Sequence, residues 1–204
     1  MAIVNLYPDS TLGQLGTSWT LAGASTKHEA LQDDDASNYL HTATVGASNV
    51  FTIDNLDSDG LNIDSINSVQ VVIEAYNPTR ASSTDYKTII QNSGGNTIHE
   101  ETITRAATGT YVTLTYTART ECTHPNCTNF GGMSQAWTDA DIDGIKLYLE
   151  ADAISAGITR VTQMYLIVDY EEGGYVNTVM GVPSGDISSV NGVATGNISK
   201  VNGV

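Results

Sequence analysis

Four acidic side chains near residue 140 have the spacing of a calcium-binding loop. Asp139, Asp141 and Asp143 alternate, Gly144 follows, and Glu150 comes six residues later. An EF-hand loop has carboxylates at positions 1, 3, 5 and 12 and glycine at position 6, so the match is complete. An EF-hand also needs flanking helices, whereas the residues after the glycine alternate like a strand. Because a strand would carry Glu150 away from the aspartates, the sequence favours an acidic turn before a core strand, with a calcium site as the alternative.

Two other groups of residues have side chains that bind metals. The three aspartates at 33–35 could reach a calcium ion at the rim of a sandwich, although three consecutive acids do not all face one ion. Cys122, His124 and Cys127 supply three ligands for zinc, but no fourth ligand follows nearby. A local disulfide between Cys122 and Cys127 and a pair of free thiols are the other interpretations of the cysteines.

The sequence contains no pattern that predicts catalysis. The segments 28–29 and 99–101 place a histidine next to glutamates, but neighbours in a strand point to opposite faces and make a poor acid–base pair. There is no Gly-x-Ser-x-Gly elbow and no phosphate-binding loop. We therefore expect no enzyme activity and no cofactor. The ten tyrosines are interpreted as core or interface residues, with stacking on sugars as the alternative for exposed ones.

Composition excludes several classes of partner. The 204 residues include 8 Lys and Arg against 23 Asp and Glu, for a formal charge of −15. Nucleic acids and anionic membranes bind basic surfaces, so neither is expected as a partner. No apolar run approaches the ~18 residues of a membrane span. Residues 1–5 lack the basic and apolar regions of a secretion signal, which predicts synthesis in a cytoplasm without export by the usual route.

The elements that must position these residues are predicted to be strands. Residues 68–76 and 159–170 alternate between apolar and polar side chains, and residues 86–91 and 97–103 form a predicted hairpin. Eight to ten strands are expected within residues 19–170, with no helix. Strands at this spacing predict an all-β fold, which we interpret as a jelly-roll-like β-sandwich with an immunoglobulin-like topology as the alternative.

The two ends of the chain are predicted to lie outside this sandwich. Residues 1–18 are interpreted as an N-terminal arm, with an edge element as the alternative, and residues 171–174 as a linker to a tail at 175–204. The tail repeats the unit V-x-G-V-x-x-G-x-I-S-x with a period of 11 residues, which predicts an array of short strands. Each unit has too few apolar residues for a core of its own, so the tail must pack on another surface. The predicted assembly residues are Val179, Val182, Ile187, Val190, Val193, Ile198, Val201 and Val204.

Several short segments resemble small β-sandwich virion proteins of tailed bacteriophages. They are Trp19 with Gly23, the segment 31–39, Trp137 with residues 141–145, the strand at 160–170, and the Val-Asn-Gly-Val units at 190–193 and 201–204. The resemblance implies a structural or capsid decoration role in a virion, and no catalytic residues carry over. It also implies a homo-oligomer, with trimers expected by analogy, and contact with other virion proteins such as the major capsid protein.

Three functions follow from the sequence. The first is a non-enzymatic virion structural protein that assembles through its arm and tail. The second is a carbohydrate- or receptor-binding module of a tail or fibre, which an exposed aromatic patch on the sandwich would favour. The third is a subunit of an extracellular filament that donates its tail as strands to a neighbouring sheet. The expected location is the virion, with an extracellular location as the alternative.

Overall fold

The computed structural model describes residues 2–13, 16–33, 35–56, 61, 63–77, 83–106, 109–122, 135–155 and 157–173, and the backbone of residues 189–190 and 193–194. Within these ranges a 3₁₀ turn spans Glu29–Leu31 and a short helix, α1, spans Asp139–Asp143. The strands are β1 (Ala2–Leu6), β2 (Pro8–Gly13), β3 (Thr20–Ala22), β4 (Tyr39–Thr42), β5 (Ser48–Ile53), β6 (Ile63–Tyr76), β7 (Ser83–Gln91), β8 (Thr97–Ala106), β9 (Tyr111–Thr115), β10 (Lys146–Ile154), β11 (Thr159–Glu172), β12 (Ser189–Val190) and β13 (Val193–Ala194).

Eleven of these strands form two antiparallel sheets. The first sheet has the order β3-β4-β11-β6-β9, with β1 also paired to β11, and the second has the order β2-β5-β10-β7-β8. Strands β12 and β13 pair with each other as a short hairpin in the tail. The predictions of a jelly-roll-like β-sandwich, of short strands in the tail and of the β7–β8 hairpin are confirmed.

The core lies between the inner faces of the two sheets. Alternate residues of β11 are buried, among them Met164 and Leu166, and they belong to the same hydrophobic cluster as the buried Phe51 and Leu147 of the second sheet. This period of two is the one that the sequence shows, because one face of each strand packs on the core. Polar residues at the other parity therefore lie on the outer faces of the sheets, where a ligand could reach them.

The first residues of the chain belong to both sheets, which agrees with the edge-element interpretation rather than with a free N-terminal arm. Strand β1 pairs with the end of β11 from Ala2↔Tyr170 to Leu6↔Leu166, and β2 pairs with β5. Leu6 is completely buried in the core. The sequence suggests an arm because the two apolar pieces are short and Pro8 between them marks a turn, whereas in the structure Pro8 begins the second strand.

The predicted linker and tail fall largely outside the described residues. Strand β11 extends through Glu172, so the start of the predicted linker is still paired in the sheet. Of the predicted assembly residues, Val190 and Val193 lie opposite each other in the backbone pairing of β12 and β13. The others, Val179, Val182, Ile187, Ile198, Val201 and Val204, lie outside the described residues. The assembly role of the tail therefore stays a prediction.

None of the helices in the described ranges is long and apolar enough to cross a membrane.

Candidate functional site

One row of paired residues crosses the outer face of the first sheet. His41 of β4 lies opposite Arg160 of β11, Arg160 lies opposite Tyr76 of β6, and Tyr76 lies opposite Tyr111 of β9. Directly paired residues project from the same face of a sheet, so these four side chains form a continuous row. Tyr39, two residues before His41, joins the row from the same strand. We call these five residues the tyrosine band.

The side chains of the tyrosine band contact one another from end to end. The Tyr39 and His41 ring centroids are 5.7 Å apart, and those of Tyr76 and Tyr111 are 5.1 Å apart. The guanidinium carbon of Arg160 lies 4.6 Å from the Tyr39 centroid and 5.3 Å from the Tyr76 centroid. All five residues are partly exposed. The band is therefore an ordered aromatic surface with a cation held between two rings.

A buried polar network fixes the strands beneath the band. Asn77, which is completely buried, accepts hydrogen bonds at Oδ1 from the Tyr86 hydroxyl at 2.6 Å and the Thr159 hydroxyl at 2.8 Å. Its Nδ2 donates to the carbonyl of Arg105 at 2.9 Å. Burial raises the pKa of Tyr86 well above its usual value, so its hydroxyl stays a neutral donor. Because Asn77 follows Tyr76 and Thr159 precedes Arg160, this network positions the centre of the band.

Arg160 has no carboxylate partner in the described part of the chain. Its Nε is buried without a hydrogen-bond partner in the tyrosine stack, and the residue as a whole is partly exposed. The two terminal amino groups are thus the part of the guanidinium that can reach a ligand. The band can offer both ring faces for an apolar surface and charged donors for oxygen atoms.

The outer face of the second sheet has a different arrangement. The Tyr148 hydroxyl donates to Oε2 of Glu150 at 2.6 Å, and Lys87 Nζ lies 3.4 Å from the same oxygen. Lys87 Nζ is also 3.7 Å from Oδ1 of Asp152. Burial, followed by the hydrogen bond to Glu150, raises the pKa of Tyr148 to about 12. We call these four residues the charged cluster.

The carboxylates of the predicted calcium loop do not converge. Asp141 accepts hydrogen bonds from the Thr138 backbone and hydroxyl and caps α1. Asp143 accepts from the backbone N–H of Leu56 at 2.9 Å, and Glu150 lies in β10 within the charged cluster. Asp139 is the first residue of α1. Among the described residues no group of three or more His, Cys, Asp or Glu side chains could hold a metal ion.

The other metal candidates fall partly outside the described residues. Asp33 accepts a hydrogen bond from the backbone of Asp35, and Asp35 accepts one from the backbone of Ser37, so both carboxylates close turns. Hydrogen bonds from Ser37 hold the pKa of Asp35 below its usual value. Cys122 is completely buried and disulfide-bonded, while His124 and Cys127 lie outside the described residues.

The histidine–glutamate segments form structural contacts. His99 packs on Trp137, with ring centroids 5.9 Å apart, and Glu100 projects from the opposite face. Glu101 accepts hydrogen bonds from the Thr117 hydroxyl at 2.8 Å and from Arg119 at 3.0 Å. His99, Glu101, Thr117 and Arg119 help to line a cavity of about 20 Å³, enough for a single water molecule. The cavity is too small for a substrate.

Sequence reasoning did not single out the residues of the tyrosine band. The signal that could have identified them is the alternation of inward-facing and outward-facing positions along each strand. Tyr76 and Tyr111 occupy polar positions of strands whose alternate residues are apolar, and Arg160 does the same in β11. Parity assigns each residue to an outer face but does not reveal which strands are neighbours, so the row is visible only in the structure.

Comparisons with known proteins identify no family. No family model matches the chain, and no curated protein matches it. Among solved structures, a family 11 carbohydrate-binding module from Clostridium thermocellum, in complex with a β-1,3-1,4-mixed-linked tetrasaccharide, is 11% identical with a TM-score of 0.43. That alignment covers 81% of this chain and 96% of the module.

Two further structures are similar at the same level. CBM35 from Cellvibrio japonicus Abf62 is 14% identical with a TM-score of 0.41, over 82% of this chain and 93% of that one. The arabinose-bound α-L-arabinofuranosidase MgGH51 is 10% identical with a TM-score of 0.42, and this chain spans only 26% of its length. All three TM-scores are below 0.5.

Proposed function

We propose that this domain is a non-catalytic carbohydrate-binding module that binds a glycan along the tyrosine band. The observation that carries the proposal is the register row His41–Arg160–Tyr76–Tyr111, which aligns three partly exposed rings and a guanidinium across four strands. One face of a sugar ring presents C–H groups that pack on aromatic rings, while its hydroxyls need polar partners at the rim. The band supplies the rings, and Arg160 and His41 supply the polar groups.

The dimensions of the band suit an oligosaccharide. Neighbouring strands lie about 4.8 Å apart, so a row across four strands is roughly 14 Å long. Such a surface accommodates a few consecutive sugar rings. The rings already contact one another and rest on a hydrogen-bonded network, so little side-chain entropy is lost when a ligand binds.

Glycan-array binding followed by calorimetry tests the proposal. We expect Tyr76→Ala and Tyr111→Ala each to weaken binding of the preferred glycan by about tenfold, since each removes one stacking surface. Tyr165→Ala is the matched control, because Tyr165 lies on the same face but outside the band, in the middle of β11, where its ring packs against Tyr7 with centroids 5.4 Å apart. Its effect should be under about twofold.

Two results would overturn the proposal. One is failure of the wild-type protein to bind any glycan on an array that covers plant, bacterial and animal sugars. The other is a glycan that binds equally well to wild-type protein and to the Tyr76→Ala and Tyr111→Ala variants, which would place the site elsewhere. Circular dichroism of each variant separates loss of binding from loss of folding.

The 11-residue repeat supports a second proposal, that the tail anchors this module in an assembly such as a phage particle. The repeat has a regular apolar pattern and needs a surface from a neighbour. Light scattering of the full chain and of a chain without residues 175–204 tests it. We expect the full chain to self-associate and the truncated chain to be monomeric. A monomeric full chain would contradict the proposal.

A further inference from the structure

Arg160 differs from Lys87 and Arg119 in its surroundings. Lys87 contacts Glu150 and Asp152, and Arg119 Nη2 lies 3.0 Å from Glu101. Arg160, in contrast, contacts two tyrosine rings and no carboxylate within the described residues. A guanidinium fixed between two rings loses little freedom when an anion binds. The tyrosine band therefore contains a positioned cation whose charge no described protein group neutralises.

We infer that the glycan bound along the tyrosine band contains a sugar with a carboxylate group, and that Arg160 binds this carboxylate. The inference rests on the proposed function and specifies its ligand. The two terminal amino groups of a guanidinium match the two oxygens of a carboxylate and form paired, charge-assisted hydrogen bonds. The buried Nε cannot take part, so the terminal pair is the binding edge.

The position of Arg160 in the row fits this role. Tyr76 and Tyr111 lie on one side of it and Tyr39 and His41 on the other. A sugar stacked on Tyr76 would place its ring substituents beside the guanidinium. Arg160 would thus contact a substituent of one sugar of the glycan, while the tyrosines contact the neighbouring sugar rings.

Other charges on the molecule indicate that the carboxylates of the glycan are sparse. Glu74 lies opposite Gln163 in the register next to the band, and Asp169 and Glu171 project farther along the same face of the sheet. The net charge of −15 also repels a densely charged polymer. A glycan with one acidic sugar among neutral ones satisfies Arg160 without placing many carboxylates against this surface.

A glycan array containing neutral, hexuronate-containing and sialylated glycans provides the first test. We expect the bound glycans to be acidic, and the array identifies whether hexuronates or sialic acids supply the carboxylate. The strongest ligand is then compared, by calorimetry, with the same glycan after chemical reduction of its carboxyl group to an alcohol. The acidic form should bind at least about tenfold more tightly.

Variants of Arg160 locate the effect. Arg160→Gln should remove the preference for the acidic glycan over its reduced form, because the charge is lost, while Arg160→Lys should retain part of the preference. Because Arg160 also contacts the sugar hydroxyls, affinity for the reduced form should fall as well, but by less than affinity for the acidic form. Preferential binding of neutral glycans, or an acid preference that survives in Arg160→Gln, would overturn this inference and leave the proposed function standing. Binding of no glycan at all would overturn both.

Discussion

The two outer faces of the sandwich each combine tyrosine with a cation, but the two cations have different surroundings among the described residues. In the charged cluster, Lys87 lies between Glu150 and Asp152, and the Tyr148 hydroxyl donates to Glu150. In the tyrosine band, Arg160 lies between the rings of Tyr39 and Tyr76.

The partners of these polar groups indicate which face can still bind a ligand. The hydrogen bonds and charges of the cluster are satisfied within the protein, so a ligand would have to displace contacts that already exist. The rings of the band are partly exposed, and no described carboxylate lies within ion-pair distance of Arg160. Composition alone does not separate a binding surface from a structural one, whereas the partners of each polar group do.

The largest expected effect comes from removing residues 2–13, which support both faces at once. This deletion takes β1 from beside β11 and β2 from beside β5. It also removes the completely buried Leu6 and exposes an unpaired edge in each sheet. We expect the truncated chain to lose its cooperative thermal transition in circular dichroism, and with it glycan binding.

Deletion of residues 175–204 is the control for that experiment. Strand β11 ends at Glu172, so the two described sheets do not need the deleted segment for their pairing. This second truncation should melt cooperatively near the temperature of the full chain. A folded chain without residues 2–13 would show that the first two strands are an appendage after all, as the sequence predicts.

Much of the fold could be predicted from local pattern. The alternation in β6, β9 and β11 follows from one buried face, and the hairpin of β7 and β8 follows from the turn at Asn92–Asn96. The role of β1 and β2 could not be predicted, because their partners are far away in sequence. Ala2 pairs with Tyr170, and nothing in either segment indicates the other.

The residues of the candidate site are also far apart in sequence, and no local pattern connects them. His41, Tyr76, Tyr111 and Arg160 become neighbours only through the strand order β4-β11-β6-β9. The calcium-loop pattern is the opposite case, because its carboxylates are close in sequence but do not converge in the structure. Thr138 caps a helix that ends at Asp143, and Glu150 then lies in β10. A motif predicts a site only when its flanking elements are the ones that the motif requires.

Two substitutions test the difference between the charged cluster and the tyrosine band by their effects on the free energy of unfolding. Lys87→Met should destabilise the fold by about 1–2 kcal/mol, because it leaves Glu150, whose side chain is only 16% exposed, without its cation. Arg160→Met should cost less than about 1 kcal/mol, since it removes a cation–π contact and keeps the apolar contact with the rings. Urea denaturation at neutral pH measures both.

Equal destabilisation by the two substitutions would contradict the comparison. Arg160 would then be a structural cation, and the tyrosine band would be a packed surface with little binding capacity. Lys87→Arg is the control for the charged cluster, because it retains the positive charge and should restore most of the stability that Lys87→Met loses.

The smallest expected effect is a change in the slope of stability against pH in alkaline solution. Burial raises the pKa of Tyr148 from 10.0 to about 12 in the folded protein. Between these values the unfolded chain releases the tyrosine proton and the folded chain keeps it, so this contribution is fully present below pH 10 and is lost as the pH rises toward 12. The pKa of Lys87 is also raised, because the charges of Glu150 and Glu100 outweigh the effect of burial, and its contribution is lost in the alkaline range too.

Tyr148→Phe removes one of these protons, so its melting temperature should fall less steeply than that of the wild type between about pH 10 and pH 12. The slope shrinks without disappearing, because burial also raises the pKa of Tyr86 and Tyr116. The lost hydrogen bond to Glu150 lowers stability at neutral pH as well, and this appears as a constant offset between the two curves. Differential scanning calorimetry across the alkaline range separates the offset from the slope. Parallel curves would show that Tyr148 has the same pKa in the folded and the unfolded protein. That result would contradict the interpretation that the polar groups of the charged cluster are paired within the protein.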